Sequence, residues 1–292
     1  MKARKGIILA GGTGSRLHPM TSAVSKQLMP IFDKPMIYYP ISVLIQAGIR
    51  DMLMITTPHD QAQFQKLLGD GSQWGINIEW AVQASPDGIA QALLIAEYFL
   101  DGAPSALILG DNLYFGTGFI DTLQSAKGDK VGATIFGYQV KDPSRYGVIG
   151  FDDSGAVTSL VEKPNHPASN YAVTGLYFYD QHAPKYAKTI KPSKRSELEI
   201  TALNEIYLQR SELQVKLLNG GTTWLDTGTT RSLLAAAQFV SVIEERQGLR
   251  ICCPEVEAFR QGLISADTLA ELAKPLQKSG YGNYLAQVAA NA

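Results

Sequence analysis

The run GIILAGGTGSR, residues 6–16, decides how the rest of the chain is read. Residues 6–10 form a continuous apolar stretch that glycine stops, the pattern of a strand covered on both faces of a parallel sheet. Gly11, Gly12 and Gly14 then let the backbone approach a ligand and turn its N–H groups inward, which makes a nest for an anion. Arg16 offers a planar fork of donors, and Lys26, ten residues on, a point charge. The plain alternative is a tight turn flanked by two solvated cations, a common outcome for short glycine motifs. Two better-known phosphate loops do not fit. No Lys-Ser/Thr pair follows the glycines as in a Walker loop, and Leu17 stands where the dinucleotide fingerprint needs its third glycine.

Outward from this loop, strand and helix alternate. Apolar runs at 51–57, 76–83 and 105–112 read as strands, and helical spacing fills 36–48, 59–69, 88–100 and about 119–126. This alternation predicts right-handed crossovers and an α/β fold with a mostly parallel central sheet and helices on both faces. From about 131 the pattern turns to strands at 132–140, 146–152, 156–163 and 172–180. A helix near 197–209, a strand at 213–218 and the segment TTWLDTG (222–228) follow, and from 231 the chain reads as wholly helical. The expected division is a catalytic domain over 1–247 and a helical C-terminal subdomain over 248–292.

Composition narrows the function classes. The chain has 292 residues, 45% of them hydrophobic, enough for a large core, and a net charge of −1. That balance advertises neither a nucleic-acid backbone nor an anionic membrane as partner, so an anion site must be local. The five-residue apolar run is too short for a secretory signal or a spanning helix. Cys252 and Cys253 are neighbours and build no disulfide framework, and four scattered histidines offer no zinc spacing. A cytoplasmic protein is expected.

Magnitudes then ask for a metal. A nucleoside triphosphate carries about four negative charges, and one unlike pair contributes only about 4 kcal/mol near a protein surface. One arginine and one lysine are too few to manage it. Asp111 and Asp226, each just after an apolar run, are the candidate carboxylates. Either alone reads as a turn residue. Together, at strand exits of one sheet, they could converge on magnesium, which commonly takes one or two carboxylates.

The segments GIILAGGTGSRLHPMT…SKQLMPI, SPDGIAQAL, LGDNLYFG, DPSRYGVIGFD, EKPNHPASNYAVTGLYFYD and WLDTGT, taken in order, resemble the sugar-nucleotide pyrophosphorylases (sugar-1-phosphate nucleotidyltransferases). They look most like the branch that joins dTTP to glucose 1-phosphate. The likeness runs from about Lys5 to Leu285. It implies a Rossmann-like three-layer nucleotidyltransferase fold and in-line attack of the sugar phosphate on the α-phosphorus of dTTP, giving dTDP-glucose and pyrophosphate. A sugar phosphate is already an oxyanion at neutral pH, so no general base is needed, which suits a site without a His base or Ser nucleophile.

The resemblance also distributes roles. Gly11, Gly12, Thr13, Gly14, Ser15 and Arg16 would hold the triphosphate, with Lys26 bridging phosphates. Gln83 and Gly88 would read thymine, with Gln27 near the nucleoside. Asp111 and Asp226 would bind Mg2+. Lys163, helped by Arg195, would bind the sugar phosphate, while Asn112, Tyr146, Gly147, Glu162, Val173 and Trp224 line the glucose pocket. Pro164 predicts an extended backbone at Lys163, and both Glu162 and Lys163 reach one ligand only if the strand bends there.

A homotetramer inhibited by a downstream product, dTDP-L-rhamnose, is implied as well, with Phe115, Gly116, Cys252, Glu255 and Arg260 as candidates for the second site. The chain departs from the family pattern twice. Ser196 replaces a usual glycine, and Val256-Glu257 reverses a charged-apolar order, which could weaken the inhibition or shift the regulatory contact to Glu255. The rival readings are a uridylyltransferase of the same fold, a nucleotide-sugar sensor without turnover, and a nicotinamide-dependent oxidoreductase.

Overall fold

A computed structural model of the chain describes residues 2–12, 14–128 and 131–292. Lys5–Ala10 is the central strand of a parallel set, with Asp51–Thr56 and then Asn77–Val82 on one side and Ser105–Leu109 on the other. Successive side chains alternate between faces, and both faces are apolar. Ile7, Leu53, Ile55 and Leu107 pack on one side, and Ile8, Met52, Met54 and Ile108 on the other. Helices Tyr38–Gln46, Gln61–Leu68 and Phe119–Lys127 cover one face. Gln91–Ile95, Glu97–Leu100 and Ile200–Gln209 cover the opposite one, completing three layers.

The second half extends the sheet with mixed pairing. Tyr171–Tyr179 runs antiparallel to Ser105–Leu109. Its other edge pairs with Ala133–Gln139, with a register shift between Val173 and Tyr177, while Gly147–Phe151 meets Ala172 on the same edge as Ser105–Leu109. Val157–Glu162 closes this side against Gly147–Phe151, while Leu213–Leu217 runs parallel to Ala133–Gln139.

One element differs from the sequence expectation. The run 105–112 is not a single strand: it leaves the main sheet at Leu109, and Asn112–Gly116 forms a separate ribbon with Thr222–Asp226. Asp226 pairs directly with Asn112 in that ribbon. Asp226 therefore does not stand at an exit of the main sheet. The turn needs Gly110, where a Cβ would lie 3.0 Å from Gln27 and 3.1 Å from the Leu9 carbonyl.

From residue 230 the chain is helical, as the sequence indicates. Thr230–Gln247 starts at a Thr229/Ser232 capping box and packs on Leu17, Ile31, Met36 and Leu113. Pro254–Arg260, Ala266–Ala273 and Gly280–Ala290 gather around Val256, Leu269 and Leu285. Among the described residues, no helix is long and apolar enough to cross a membrane.

Candidate active site

A cavity of about 510 Å3 opens where the Tyr171–Tyr179 strand changes partners. Ten of its lining residues are ones the sequence singles out: Arg16, Asp111, Asn112, Tyr146, Gly147, Glu162, Lys163, Val173, Trp224 and Asp226. They come from the glycine loop, the Gly110–Asp111 turn, the two-stranded ribbon and the strands around Gly147 and Glu162.

The ribbon's register sets the carboxylates. Trp224 Nε1 donates to Asn112 Oδ1 at 2.6 Å, and Asn112 Nδ2 donates to Asp111 Oδ1 at 2.9 Å. Lys26 donates to the other oxygen of Asp111, and the Thr227 hydroxyl donates to its carbonyl at 2.8 Å. Burial opposes the charge on Asp111, but the Lys26 ammonium outweighs it and holds the carboxyl below its ordinary value. Asp226 behaves oppositely. Burial, then the negative charge of Asp111, push its carboxyl up, although Oδ1 accepts the Gly228 N–H at 2.9 Å.

Two carboxylates that penalise each other's ionisation form a site that gains from a cation. Among the described residues there is no cluster of three or more His, Cys, Asp or Glu that could hold a metal by itself. Two carboxylates with room for phosphate and water oxygens are the donor set a magnesium-type ion accepts. The residues present fit such an ion.

At the wall formed by Glu162 and Lys163, Glu162 is held on both oxygens. Thr201 Oγ1 donates to Oε2 at 2.6 Å, and Arg195 Nη2 donates to Oε1 at 3.2 Å, with Lys163 Nζ 3.4 Å from the same oxygen. Lys163 is not extended as Pro164 suggests. Its φ is +44°, in the left-handed region, with its N–H donating to the Tyr146 carbonyl at 2.9 Å. This turn is the bend that lets consecutive residues Glu162 and Lys163 face one cavity. It overrides the local steric preference at a backbone cost of roughly 1–3 kcal/mol.

Arg195 stands outside the lining, clamped by Glu199 at 2.8 Å. Ser196 has φ +61°, which explains why glycine would suit that position.

The other residues expected to bind the nucleotide do not line the cavity. Gln27 Nε2 donates to the Gly11 carbonyl at 3.5 Å, and Thr21 Oγ1 donates to the Gly14 carbonyl at 2.8 Å. Gly12 and Ser15 are exposed, and Thr13 lies outside the described residues. Gln83 is buried and donates to the Gly88 carbonyl at 3.3 Å. Gly88, at φ +107°, has Leu198 backbone atoms 2.4 and 2.5 Å from any Cβ, so its glycine is a packing requirement.

Sequence reasoning missed Arg145, Tyr177 and Thr201 in the lining. Arg145 follows Pro143 in a single 3-10 turn and lies 5.7 Å over the Tyr146 ring. Its position one residue before Tyr146 in DPSRYG was the available signal. Tyr177 and Thr201 read as core in the sequence because both sit in apolar-periodic elements.

A second, smaller cavity of about 130 Å3 is lined by Phe115, Gly116, Arg250, Cys252, Glu257 and Arg260, among others. Glu255 is not there, and the expected shift of contact to it is corrected. In helix Pro254–Arg260 its carboxylate accepts Tyr281 Oη at 2.5 Å in the interior. Glu257 shares the Arg260 face at i,i+3 and is bonded to it at 3.1 Å.

Glycine loop, paired carboxylates and a sugar-sized polar cavity together define an α/β site for phosphorylated substrates. Residues 5–242 match the nucleotidyl transferase family. A glucose-1-phosphate thymidylyltransferase of Xanthomonas campestris pv. campestris (strain B100) is 60% identical over 99% of this chain and 98% of its own length. The Neisseria meningitidis enzyme of that name is 54% identical over 96% and 98%, and that of Mycobacterium tuberculosis 51% over 97% and 98%. A crystal structure of a putative glucose-1-phosphate thymidylyltransferase from Bacillus anthracis in complex with a sucrose superposes with a TM-score of 0.75 at 39% identity, covering 81% of this chain and 95% of that one. A UDP-glucose pyrophosphorylase complexed with UDP-glucose shares the fold, with a TM-score of 0.71 at 23% identity over 84% of this chain and 100% of that one. The chain belongs to the nucleotidyl transferase family, in the branch of the glucose-1-phosphate thymidylyltransferases.

Proposed function

We propose that the chain transfers a thymidylyl group from dTTP to α-D-glucose 1-phosphate, releasing pyrophosphate. The observation that carries this reading is that Arg16, Asp111, Lys163 and Asp226 line one cavity of a size suited to a sugar phosphate. Lys163 and Arg145 attract the acceptor phosphate, and Glu162 and Trp224 hold its sugar. A phosphate oxygen of the acceptor forms the new bond to the α-phosphorus, and the bond to the β-phosphate oxygen breaks on the opposite side. The glycine loop with Arg16 takes the charge that develops on pyrophosphate. Lys26, already anchored on Asp111, bridges donor and acceptor phosphates. Asp111 and Asp226 would hold a divalent ion, which we assign as Mg2+, to neutralise phosphate charge. Catalysis is positioning and charge stabilisation.

Homotetramer formation and inhibition by dTDP-L-rhamnose at the second cavity complete the proposal, together with a cytoplasmic site for dTDP-glucose synthesis. The test is pyrophosphate release from dTTP and Mg2+ with and without glucose 1-phosphate. Release that depends on the sugar phosphate supports the reading, and sugar-independent hydrolysis or no release overturns it. Parallel assays with dUTP measure how strictly the methyl group is read, which an apolar contact alone limits to about 1–3 kcal/mol, and UTP adds the effect of the 2′-hydroxyl.

A further inference from the structure

We infer that Gln91 and Asp87 are positioning residues that lock the Gln83 side-chain amide in one orientation, so that it presents its carbonyl oxygen to the incoming base. The inference rests on the reading of Gln83 as a base-contacting residue and says why it reads as it does. A free glutamine amide is ambiguous, since rotation by 180° exchanges acceptor for donor. Here a chain of hydrogen bonds removes the ambiguity. Gln83 Nε2 donates to Gln91 Oε1 at 2.6 Å and to the Gly88 carbonyl at 3.3 Å. Gln91 Nε2 in turn donates to Asp87 Oδ2 at 2.9 Å, and Ser85 Oγ donates to the same oxygen at 2.6 Å.

The chain ends on the Asp87 carboxylate, whose Oδ2 accepts from both Gln91 and Ser85, so its direction is fixed from that end. Flipping Gln83 would set its carbonyl against two acceptors. The backbone fixes that same end, because the Asp87 carbonyl accepts the Leu198 N–H at 2.6 Å.

The consequence falls on Gln83 Oε1, which accepts no hydrogen bond from any described residue. It lies beside the glycine loop, where a Cβ on Gly11 would come within 2.5 Å of it. An acceptor held there, on a side chain that is otherwise buried, accommodates a base edge that carries an N–H, as thymine and uracil do at N3. It opposes cytosine, whose N3 presents a lone pair, because acceptor against acceptor leaves both unpaired after desolvation.

The experiment compares kcat/KM for dTTP and dCTP, with saturating Mg2+ and glucose 1-phosphate, in the full chain and in Gln83→Ala, Gln91→Leu and Asp87→Ala. Gln91→Leu and Asp87→Ala should each narrow the dTTP:dCTP ratio about 10-fold or more, with KM for glucose 1-phosphate within about two-fold of the parent. Asp87→Ala lies at a partly exposed loop position and keeps the test open if Gln91→Leu folds poorly. If Gln83→Ala narrows the ratio while both positioning variants retain it, the locking role is wrong and the base-reading role stands. If Gln83→Ala leaves the ratio untouched, the base is not read there, and the inference falls with that reading.

Discussion

Asp226 concentrates the conflict between stability and function in one side chain. Its carboxyl is held above its ordinary value by burial and by Asp111, so the folded chain binds that proton more tightly than the unfolded one. A raised value contributes stability that is full below the ordinary carboxylate range and is lost as pH climbs through the folded value. Ionising the group costs the folded chain stability, and a bound cation offsets that cost. Asp226→Asn should therefore abolish Mg2+-dependent turnover yet raise thermal stability in metal-free buffer, by on the order of 1 kcal/mol. Calorimetry with and without Mg2+ checks this: the parent should gain stability from the ion and the variant should not. A variant less stable than its parent without metal would mean that the carboxylate is structurally required. Ser196 offers a smaller test. With φ +61° it should tolerate glycine, and Ser196→Gly should be neutral or stabilising by about 0.5–1 kcal/mol in a denaturant titration.

At the scale of elements, the two-stranded ribbon brings Asp111 and Asp226 to the same cavity, and it is the part the sequence did not make legible. The parallel strands, the covering helices and the helical tail are encoded as apolar runs and 3.6-residue spacing, which depend only on local burial. Asn112–Gly116 continues an apolar run after a glycine turn, so periodicity alone cannot tell a new ribbon from a longer strand. The left-handed turn at Lys163 was hidden for a related reason: the Tyr146 carbonyl, seventeen positions earlier, holds it against the preference that Pro164 imposes. The ribbon depends on Gly116, at φ +128°, where a Cβ would lie 2.1 Å from the Gly221 carbonyl. Gly116→Ala should cost about 2–3 kcal/mol by denaturant unfolding. It should also weaken Mg2+-dependent stabilisation, because the Asp226–Asn112 pairing shifts. Loss of stability with the Mg2+ effect intact would separate the ribbon's far end from the metal side.

Across the whole molecule, the long-range link is a buried charge cluster rather than the sheet. Lys34, with its side chain 1% exposed, bonds Glu244 at 2.9 Å, and Glu244, fully enclosed, also takes Arg250 at 2.7 Å and the Ile251 N–H at 2.8 Å. These contacts join the turn after the Lys26 segment to helix Thr230–Gln247 and to the chain entering the C-terminal helices. A buried pair adds little net stability, but removing one partner strands the other, at about 3–5 kcal/mol. Lys34→Met should thus lower the unfolding midpoint by more than about 5 °C, given roughly 2–4 °C per kcal/mol for a large domain. Glu244→Gln alone should also destabilise, since Lys34 and Arg250 each lose one carboxylate and keep only Asp33, at 2.7 and 3.1 Å. Combined, the two substitutions should cost less than the sum of their separate effects by about 1 kcal/mol or more, because the stranded charge is then gone. Strict additivity in that double-mutant cycle would show that the Lys34–Glu244 pair does not couple the turn to helix Thr230–Gln247.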